Sequence, residues 1–280
     1  MKVISYSLFG AGKPRNANSF DFESYLRGLA INIRMCRLLF PDWKIHLHVD
    51  YSTYVMWGRL FDQLPIEVVI CDDAPLTKAM LWRLHPCFDT SVTHVLCRDL
   101  DSPPLYKEAQ CVEYWVNSDK GAHAITDSVS HTIPMMGGMI GFVPKYFTMR
   151  TGFKSWQQMM DGQGYDWERK GADQEFLNRV IYPCFAQPGD DSITQHYLLG
   201  MPNTFLSDWH NTVPDIKIPG VGEEMREAND VAGHVGAAGF YQPPMHAFLR
   251  KHRDKFKDLL AIESQFGSTF YWTQDETFKD

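Results

Sequence analysis

The feature that most constrains this chain is a regular alternation, over its first hundred residues, of short β-rich apolar runs with stretches of helical spacing. Val3 to Phe9 reads as a strand ended by the turn Gly10-Ala11-Gly12. From about Phe22 to Phe40 the residues Leu26, Leu29, Ala30, Ile33 and Cys36 recur at helical intervals, and Pro41 closes the run. Lys44 to Asp50 alternates as a strand, with His46 and His48 on one face in a packing role. A helix from about Thr53 to Leu64 follows, then a nearly all-apolar strand at Ile66 to Cys71. The turn Asp72-Asp73-Ala74-Pro75 opens a helix from about Leu76 to Leu84, and the next strand ends at Arg98. A βαβα chain buries both faces of its sheet by crossing over it, so the pattern predicts a mostly parallel, right-handed sheet flanked by helices. Ligands of such sheets bind beyond the carboxyl ends of the strands.

That rule directs attention to Arg98-Asp99-Leu100-Asp101-Ser102. The apolar run Thr93 to Cys97 gives way abruptly to this charged cluster and to Pro103-Pro104, leaving two carboxylates spaced i, i+2 at a strand end. Hard divalent cations take such oxygen ligands, and a bound nucleoside diphosphate would supply the others. A D-x-D taken alone describes a solvated acidic turn equally well. Its place at a strand end in a βαβ sheet is what makes it a candidate site.

Beyond Pro104 a helix to about Ser118 turns Leu105, Ala109, Val112 and Trp115 inward, and Ala122 to Thr126 forms a short strand. A polar loop then carries Asp127 and His131, loop residues that could reach the same cleft. Met135 to Val143 reads as a strand holding Gly137, Gly138 and Gly141, and glycine inside a strand marks a bulge or a close approach of backbone or ligand. One helix is expected from Lys145 to Met160, and a further one carries Asp173-Gln174-Glu175-Phe176-Leu177 before stopping near Pro183. Residues 186–230 read as irregular, Gly233 to Gly239 as a small-residue turn around His234, and Met245 to Gln265 as a charged amphipathic helix. With no repeat and no linker, residues 1–240 are expected to form one α/β domain, and 241–280 a helical extension packed on it.

Composition narrows the function. A formal charge of −7 with no long Lys/Arg run argues against a nucleic-acid surface. No segment approaches the roughly 18 apolar residues of a transmembrane span. The six cysteines contain no C-x-x-C pair and lie mostly in apolar runs, so reduced core thiols and a cytoplasmic location are expected, without a zinc site. The loop Gly10 to Arg15 lacks the third Gly of a dinucleotide fingerprint and the Gly-Lys-Ser/Thr of a P-loop.

Taken together, Leu81-Trp82-Arg83-Leu84, Arg98-Asp99-Leu100-Asp101-Ser102, Glu113-Tyr114-Trp115, Met136-Gly137-Gly138-Met139-Ile140-Gly141 and Asp173-Gln174-Glu175-Phe176-Leu177 resemble the GT-A-fold, nucleotide-sugar-dependent glycosyltransferases with a DxD motif. The resemblance is to a bacterial and viral group of them, covers roughly residues 3–240, and is most specific at Arg98 to Ser102. It implies a GT-A-like, Rossmann-related sheet, a nucleoside diphosphate sugar as donor with a UDP-sugar favoured, and a hydroxyl of a glycan or related molecule as acceptor. It implies a Mn²⁺ or Mg²⁺ ion on Asp101, with Asp99 on the metal or the ribose and His234 as a third ligand. His234 departs from the pattern of glycogenin-like relatives, because Gly236 and Gly239 stand at +2 and +5 and no lysine follows. A buried structural histidine therefore stays open for it.

For the remaining positions the resemblance makes Asp173 the general base of an inverting enzyme, or a holder of donor-sugar hydroxyls in a retaining one. Gln174 belongs to the same place. Arg83 and Arg98 face either the diphosphate or a neighbouring carboxylate, and Lys78 shares the helix of Arg83. Tyr6 and Leu8 fall under the nucleobase, while Gly137 and Gly138 let donor or acceptor approach the backbone. Two rival readings remain. A nucleotidyltransferase or phosphohydrolase would use Asp99 and Asp101 for phosphoryl chemistry with Lys13 and Arg15 at the phosphates. A nucleotide-sugar or carbohydrate-binding protein would keep the fold without turnover.

Overall fold

The computed structural model describes residues 1–12, 22–200, 206–231, 233–238 and 243–266. Among these, the strands β1 (Lys2–Leu8), β2 (Lys44–Asp50), β3 (Glu67–Cys71), β4 (His94–Arg98), β5 (Ala122–Thr126), β6 (Met139–Phe142), β7 (Ile193–Tyr197) and β8 (Trp209–His210) form one eight-stranded sheet in the order β3-β2-β1-β4-β6-β5-β7-β8. Neighbours pair in parallel except at β6, which runs antiparallel to both β4 and β5. The predicted mostly parallel, helix-flanked α/β fold is therefore what the chain forms.

Helix α1 (Phe22–Leu39) and helix α4 (Tyr106–Val116) cover one face of the sheet, where Ile4, Tyr6 and Leu8 of β1 meet Leu26, Leu29 and Ile33 of α1. Val3 and Phe9 point to the other face, among Trp82, Leu84 and Phe142. Period-two alternation along β1 thus feeds two separate cores. Helix α2 (Tyr51–Phe61) begins at Asp50, whose side chain accepts the Thr53 amide, a capping residue that also ends β2.

Several helices are shorter than their periodicity suggests. Helix α3 (Leu76–Met80) tightens into a 3₁₀ run at Leu81–Phe88, where Pro86 has no N–H to continue an α-ladder. The single helix expected over Lys145 to Met160 is two, α5 (Pro144–Thr151) and α6 (Trp156–Met160), because Gly152 ends the first at φ +76° and Ser155 caps the second. Helix α7 (Ala172–Phe176) passes into a π-type turn at Leu177–Ile181. Strands β7 and β8 lie in the stretch that reads as irregular. The residues of β7, Ile193-Thr194-Gln195-His196-Tyr197, are all buried although three of them are polar, so neither an apolar run nor an alternation marks them. The C-terminal helix is likewise two, α8 (Pro243–Lys251) and α9 (Lys257–Glu263), separated at His252–Phe256. Helix α9 docks on α1 through the buried pair Arg34–Glu263 and through Arg37–Asp258 at 2.6 Å. All six cysteines are free, five of them buried. No helix among the described residues is long and apolar enough to cross a membrane.

The core holds an unusual number of neutral imidazoles. His48, His85 and Trp156 form a stacked row, with 5.4 Å between the His48 and His85 centroids and 4.9 Å between His85 and Trp156, and His46 lies tilted beside His48. His123 and His196 are fully buried, and none of their ring nitrogens finds a hydrogen-bond partner among the described residues. Burial lowers the pKa of His48 and of His123 to about 3. In the unfolded chain both titrate near about 6.5, so below that pH the unfolded state takes up protons that the folded state refuses. Stability is accordingly full above this value, and each pH unit below it costs about 1.4 kcal/mol per such histidine. Urea unfolding at pH 7.5 and 5.5 is expected to show a marked fall in midpoint at the lower pH, and His123→Phe is expected to reduce that fall.

Candidate functional site

The site is built from the register of one antiparallel pair. Arg98, the last residue of β4, pairs with Met139, the first of β6, so Asp99 and Gly138 come face to face just beyond the sheet. A Cβ at Gly138 would overlap the Asp99 carboxylate, and one at Gly137 would overlap the Arg83 guanidinium. The strand expected over Met135 to Val143 is only Met139–Phe142, and these two glycines lie in the turn that leads into it, where they make room for side chains of the site itself.

Beneath the turn lies Arg98, fully buried. Its Nη1 donates to the Gly138 carbonyl at 2.5 Å, its Nη2 to the Ser102 carbonyl at 2.8 Å, and its Nε stands 3.2 Å from the buried Glu108 carboxylate of α4. A guanidinium enclosed in this way fixes the turn and does not face a cleft. Arg98 is thus corrected from diphosphate contact to structural ion pair, one of the two roles open to it.

Arg83 is the link between carboxylates. It is buried on the 3₁₀ run, hydrogen-bonds Asp99 through Nη1, and holds Nη2 at 3.8 Å from Asp173. That Nη2 makes no hydrogen bond among the described residues. Asp173 is 3% exposed in the first turn of α7, and burial lifts its carboxyl above the ordinary range while Arg83 pulls it down. Gln174 accepts the Gly137 amide at 3.0 Å. One turn further along, Asn178 donates to the carbonyls of Met135 and Gln174 at 2.7 and 2.8 Å and accepts the Met135 amide at 2.9 Å. Gln174 and Asn178 thereby clamp α7 to the glycine segment and carry Asp173 to Arg83.

Asp101 stands on the α1 side. It accepts the Tyr25 hydroxyl at 3.2 Å. Burial first, and the neighbouring negative charge of Asp99 second, raise its pKa to about 6. Two carboxylates close enough to repel, with only one of them paired to a guanidinium, leave negative charge that a cation would neutralise. Among the described residues, however, no group of three or more His, Cys, Asp or Glu side chains stands ready to hold a metal ion. The expected trio of Asp99, Asp101 and His234 does not close into a protein cage. His234 instead packs its ring against His131 at 5.8 Å between centroids. Its turn is latched by Asp127, which accepts the Val235 amide at 2.8 Å and the Lys107 ammonium at 2.6 Å. Of the expected ligands, Asp99 and Asp101 stand on one turn, and a divalent cation held there would need further oxygens from outside the chain.

Tyr6 and Leu8 lie elsewhere. Both are fully buried toward α1, where the Tyr6 hydroxyl donates to Asn32 Oδ1 at 2.9 Å, so neither faces a nucleobase. The alternation of β1 is the reason, since Ser7, half-buried, holds the opposite face beside the Met80 carbonyl. Lys78 also stands apart, its ammonium 5.5 Å from the Trp156 ring centroid. It lines a groove of about 450 Å³ with Asp72, Trp82 and His85, to which Asp99, Asp101 and Asp173 do not contribute. Lys13 and Arg15, on which the phosphoryl-transfer reading leans, lie outside the described residues. The residues that the sequence reading missed are Tyr25, Gly28, Asn32 and Asn178, polar or small positions whose partners are far away in the chain.

No protein-family model matches this sequence, and no curated protein matches it. Solved structures do resemble it. A 4-diphosphocytidyl-2C-methyl-D-erythritol synthase from Anaerococcus prevotii is 9% identical with a TM-score of 0.39, covering 69% of this chain and 87% of that one. The glycosyltransferase GlyE of Streptococcus pneumoniae is 13% identical with a TM-score of 0.41, over 76% of this chain and 55% of its own. A candidate nucleotide-diphospho-sugar transferase from Desulfovibrio desulfuricans is 13% identical with a TM-score of 0.41, over 92% and 97%. Likeness at this level transfers no residue role, donor or reaction.

Removing Arg98 tests its structural role. Arg98→Met leaves Glu108 buried without its cation and is expected to cost about 3–5 kcal/mol in urea unfolding. Lys78→Met, at a half-buried ring contact, is expected to cost under about 1 kcal/mol in the same measurement.

Proposed function

We propose that this protein is a divalent-metal-dependent glycosyltransferase that moves a sugar from a nucleoside diphosphate sugar, a UDP-sugar first among them, to a hydroxyl of a glycan or related acceptor. The observation that carries this reading is the Arg83 bridge, which gathers Asp99 from the turn after β4 and Asp173 from α7 beside the backbone of Gly137 and Gly138. Four stretches distant in sequence, two of them holding carboxylates, meet at the carboxyl end of a central strand, where α/β sheets bind ligands.

The roles follow from chemistry. Asp101 and Asp99 would hold the cation, Mn²⁺ or Mg²⁺, at the turn. A cation there offsets charge developing on the departing diphosphate. Arg83 holds Asp99 in an ion pair and offers its remaining Nη2 donor to a ligand oxygen. Asp173, with its pKa raised by burial, takes the proton of the acceptor hydroxyl if the reaction inverts, and holds donor hydroxyls if it retains. Gln174 presents its amide next to Asp173 at 3.3 Å, within reach of the same sugar.

A panel of UDP-, GDP- and dTDP-sugars screened by thermal shift tests the proposal. Stabilisation by one base class in the presence of Mn²⁺, lost on chelation, is the expected result, and a donor at 100 times its Kd would add about 2.7 kcal/mol. Asp101→Asn is expected to weaken that binding about 10- to 100-fold. Because a protonated Asp101 cannot ligate, affinity should fall as pH drops through about 6. Asp173→Asn should bind donor normally and lose turnover about 10²- to 10⁴-fold if Asp173 is the base. Metal-independent binding, or binding indifferent to Asp101, would contradict the reading. Donor binding without any slow release of free diphosphate would favour the binding-protein alternative.

A further inference from the structure

One stripe of α1 faces the Asp99-Leu100-Asp101 turn. Tyr25, Gly28 and Asn32 recur at i, i+3 and i+7, the spacing of a single helix face. Tyr25 touches Asp101 directly. Gly28 lets the helix press against the turn, since a Cβ there would overlap the Leu100 carbonyl oxygen. Asn32, fully buried, donates from Nδ2 to the Leu100 carbonyl at 2.8 Å and to the Gly28 carbonyl at 2.9 Å. Its Oδ1 accepts the Tyr6 hydroxyl at 2.9 Å, which leaves the amide nitrogen as the end that faces Leu100.

Leu100 is the residue between the two carboxylates. Its peptide plane is rigid, so the direction of its carbonyl sets the direction of the amide of Asp101 and of the bonds leaving that residue. Asparagine is a poor interior helix residue, because its side chain competes for backbone hydrogen bonds. Here two of its three polar contacts end outside α1, on β1 and on the turn.

We infer that Asn32 is a positioning residue of this site: by holding the Leu100 carbonyl it sets how the Asp99 and Asp101 carboxylates converge, and through them the affinity for a cation with its nucleotide. Asn32 is fully buried behind the turn and acts only through it. The inference rests on the reading of the turn as a cation and nucleotide site, and extends it to the helix behind the turn. Tyr6 enters as the group that orients Asn32, and this is the role its buried hydroxyl serves.

The test compares Asn32→Leu with Ile33→Ala, a truncation of the fully packed neighbour in the same helix that leaves the turn contacts intact. Both lower the thermal midpoint. Mn²⁺-dependent UDP binding, followed by calorimetry, is expected to weaken about 10-fold or more in Asn32→Leu and to stay within about 2-fold of wild type in Ile33→Ala. Tyr6→Phe, which keeps the packing and removes the orienting hydroxyl, should show a smaller loss of the same kind, and it carries the test should Asn32→Leu fail to fold. Hydrogen exchange supplies a readout that needs no ligand: the amides of residues 99–102 should exchange faster in Asn32→Leu and Tyr6→Phe, and unchanged in Ile33→Ala. Affinity losses that simply follow thermal stability in all three variants would overturn the proposal. Should the wild-type protein bind no nucleotide with Mn²⁺, the glycosyltransferase reading falls, and unaltered exchange at 99–102 would then overturn the positioning role on its own.

Discussion

Everything at the carboxyl end of the sheet depends on a guanidinium enclosed below it. Arg98 ends β4 with no exposure to solvent, and burying a charge is costly unless it is paired and hydrogen-bonded. Glu108 supplies the opposite charge from α4, while the carbonyls of Gly138 and Ser102 take two of the N–H donors. These acceptors belong to three different segments, so satisfying one cation ties β4, the approach to β6 and the far side of the acidic turn together. The turn is then held from below, and Asp99 and Asp101 can project from it without having to stabilise it.

The carboxylates are held from opposite sides of the sheet. Asp99 leans toward the 3₁₀ run and α7, where Arg83 joins it to Asp173. Asp101 leans toward α1 and meets Tyr25. The electrostatic result is asymmetric: the first acid has a guanidinium partner, and the second is raised to about 6 by burial and by its neighbour. The helix that carries Tyr25 is braced from behind by the buried pair Arg34–Glu263, which makes helix α9 part of the same support.

The layout was legible where side-chain periodicity is strong. Strands β2 and β5 match their sequence patterns residue for residue, and Arg98 is correctly the end of β4. Strand-end position and the βαβ rule point to Asp99, glycines in an apolar run point to Gly137 and Gly138, and only the family resemblance brings Asp173 and Gln174 to the same place. Tyr6 and Leu8 were misplaced because apolar and aromatic residues at a strand end look alike whichever face they take, and only the partner helix shows that the even positions of β1 point inward. Arg98 and Arg83 look identical in sequence, each an arginine at the end of an apolar run, yet one meets Glu108 below the sheet and the other Asp99 above it. Asn32 and Asn178 were invisible for another reason: an asparagine inside a helical pattern lowers helix propensity and announces nothing about the distant carbonyl it holds.

The central claim is that a divalent cation and a nucleoside diphosphate meet at the Asp99-Leu100-Asp101 turn. Paramagnetic broadening by Mn²⁺, recorded on amide signals in the presence of UDP, measures the position of the ion directly. Broadening centred on residues 99–102 and 137–138, and abolished by Asp101→Asn, is the predicted result. Broadening centred instead on Asp72 and Asp73, or a pattern unaffected by Asp101→Asn, would contradict the account.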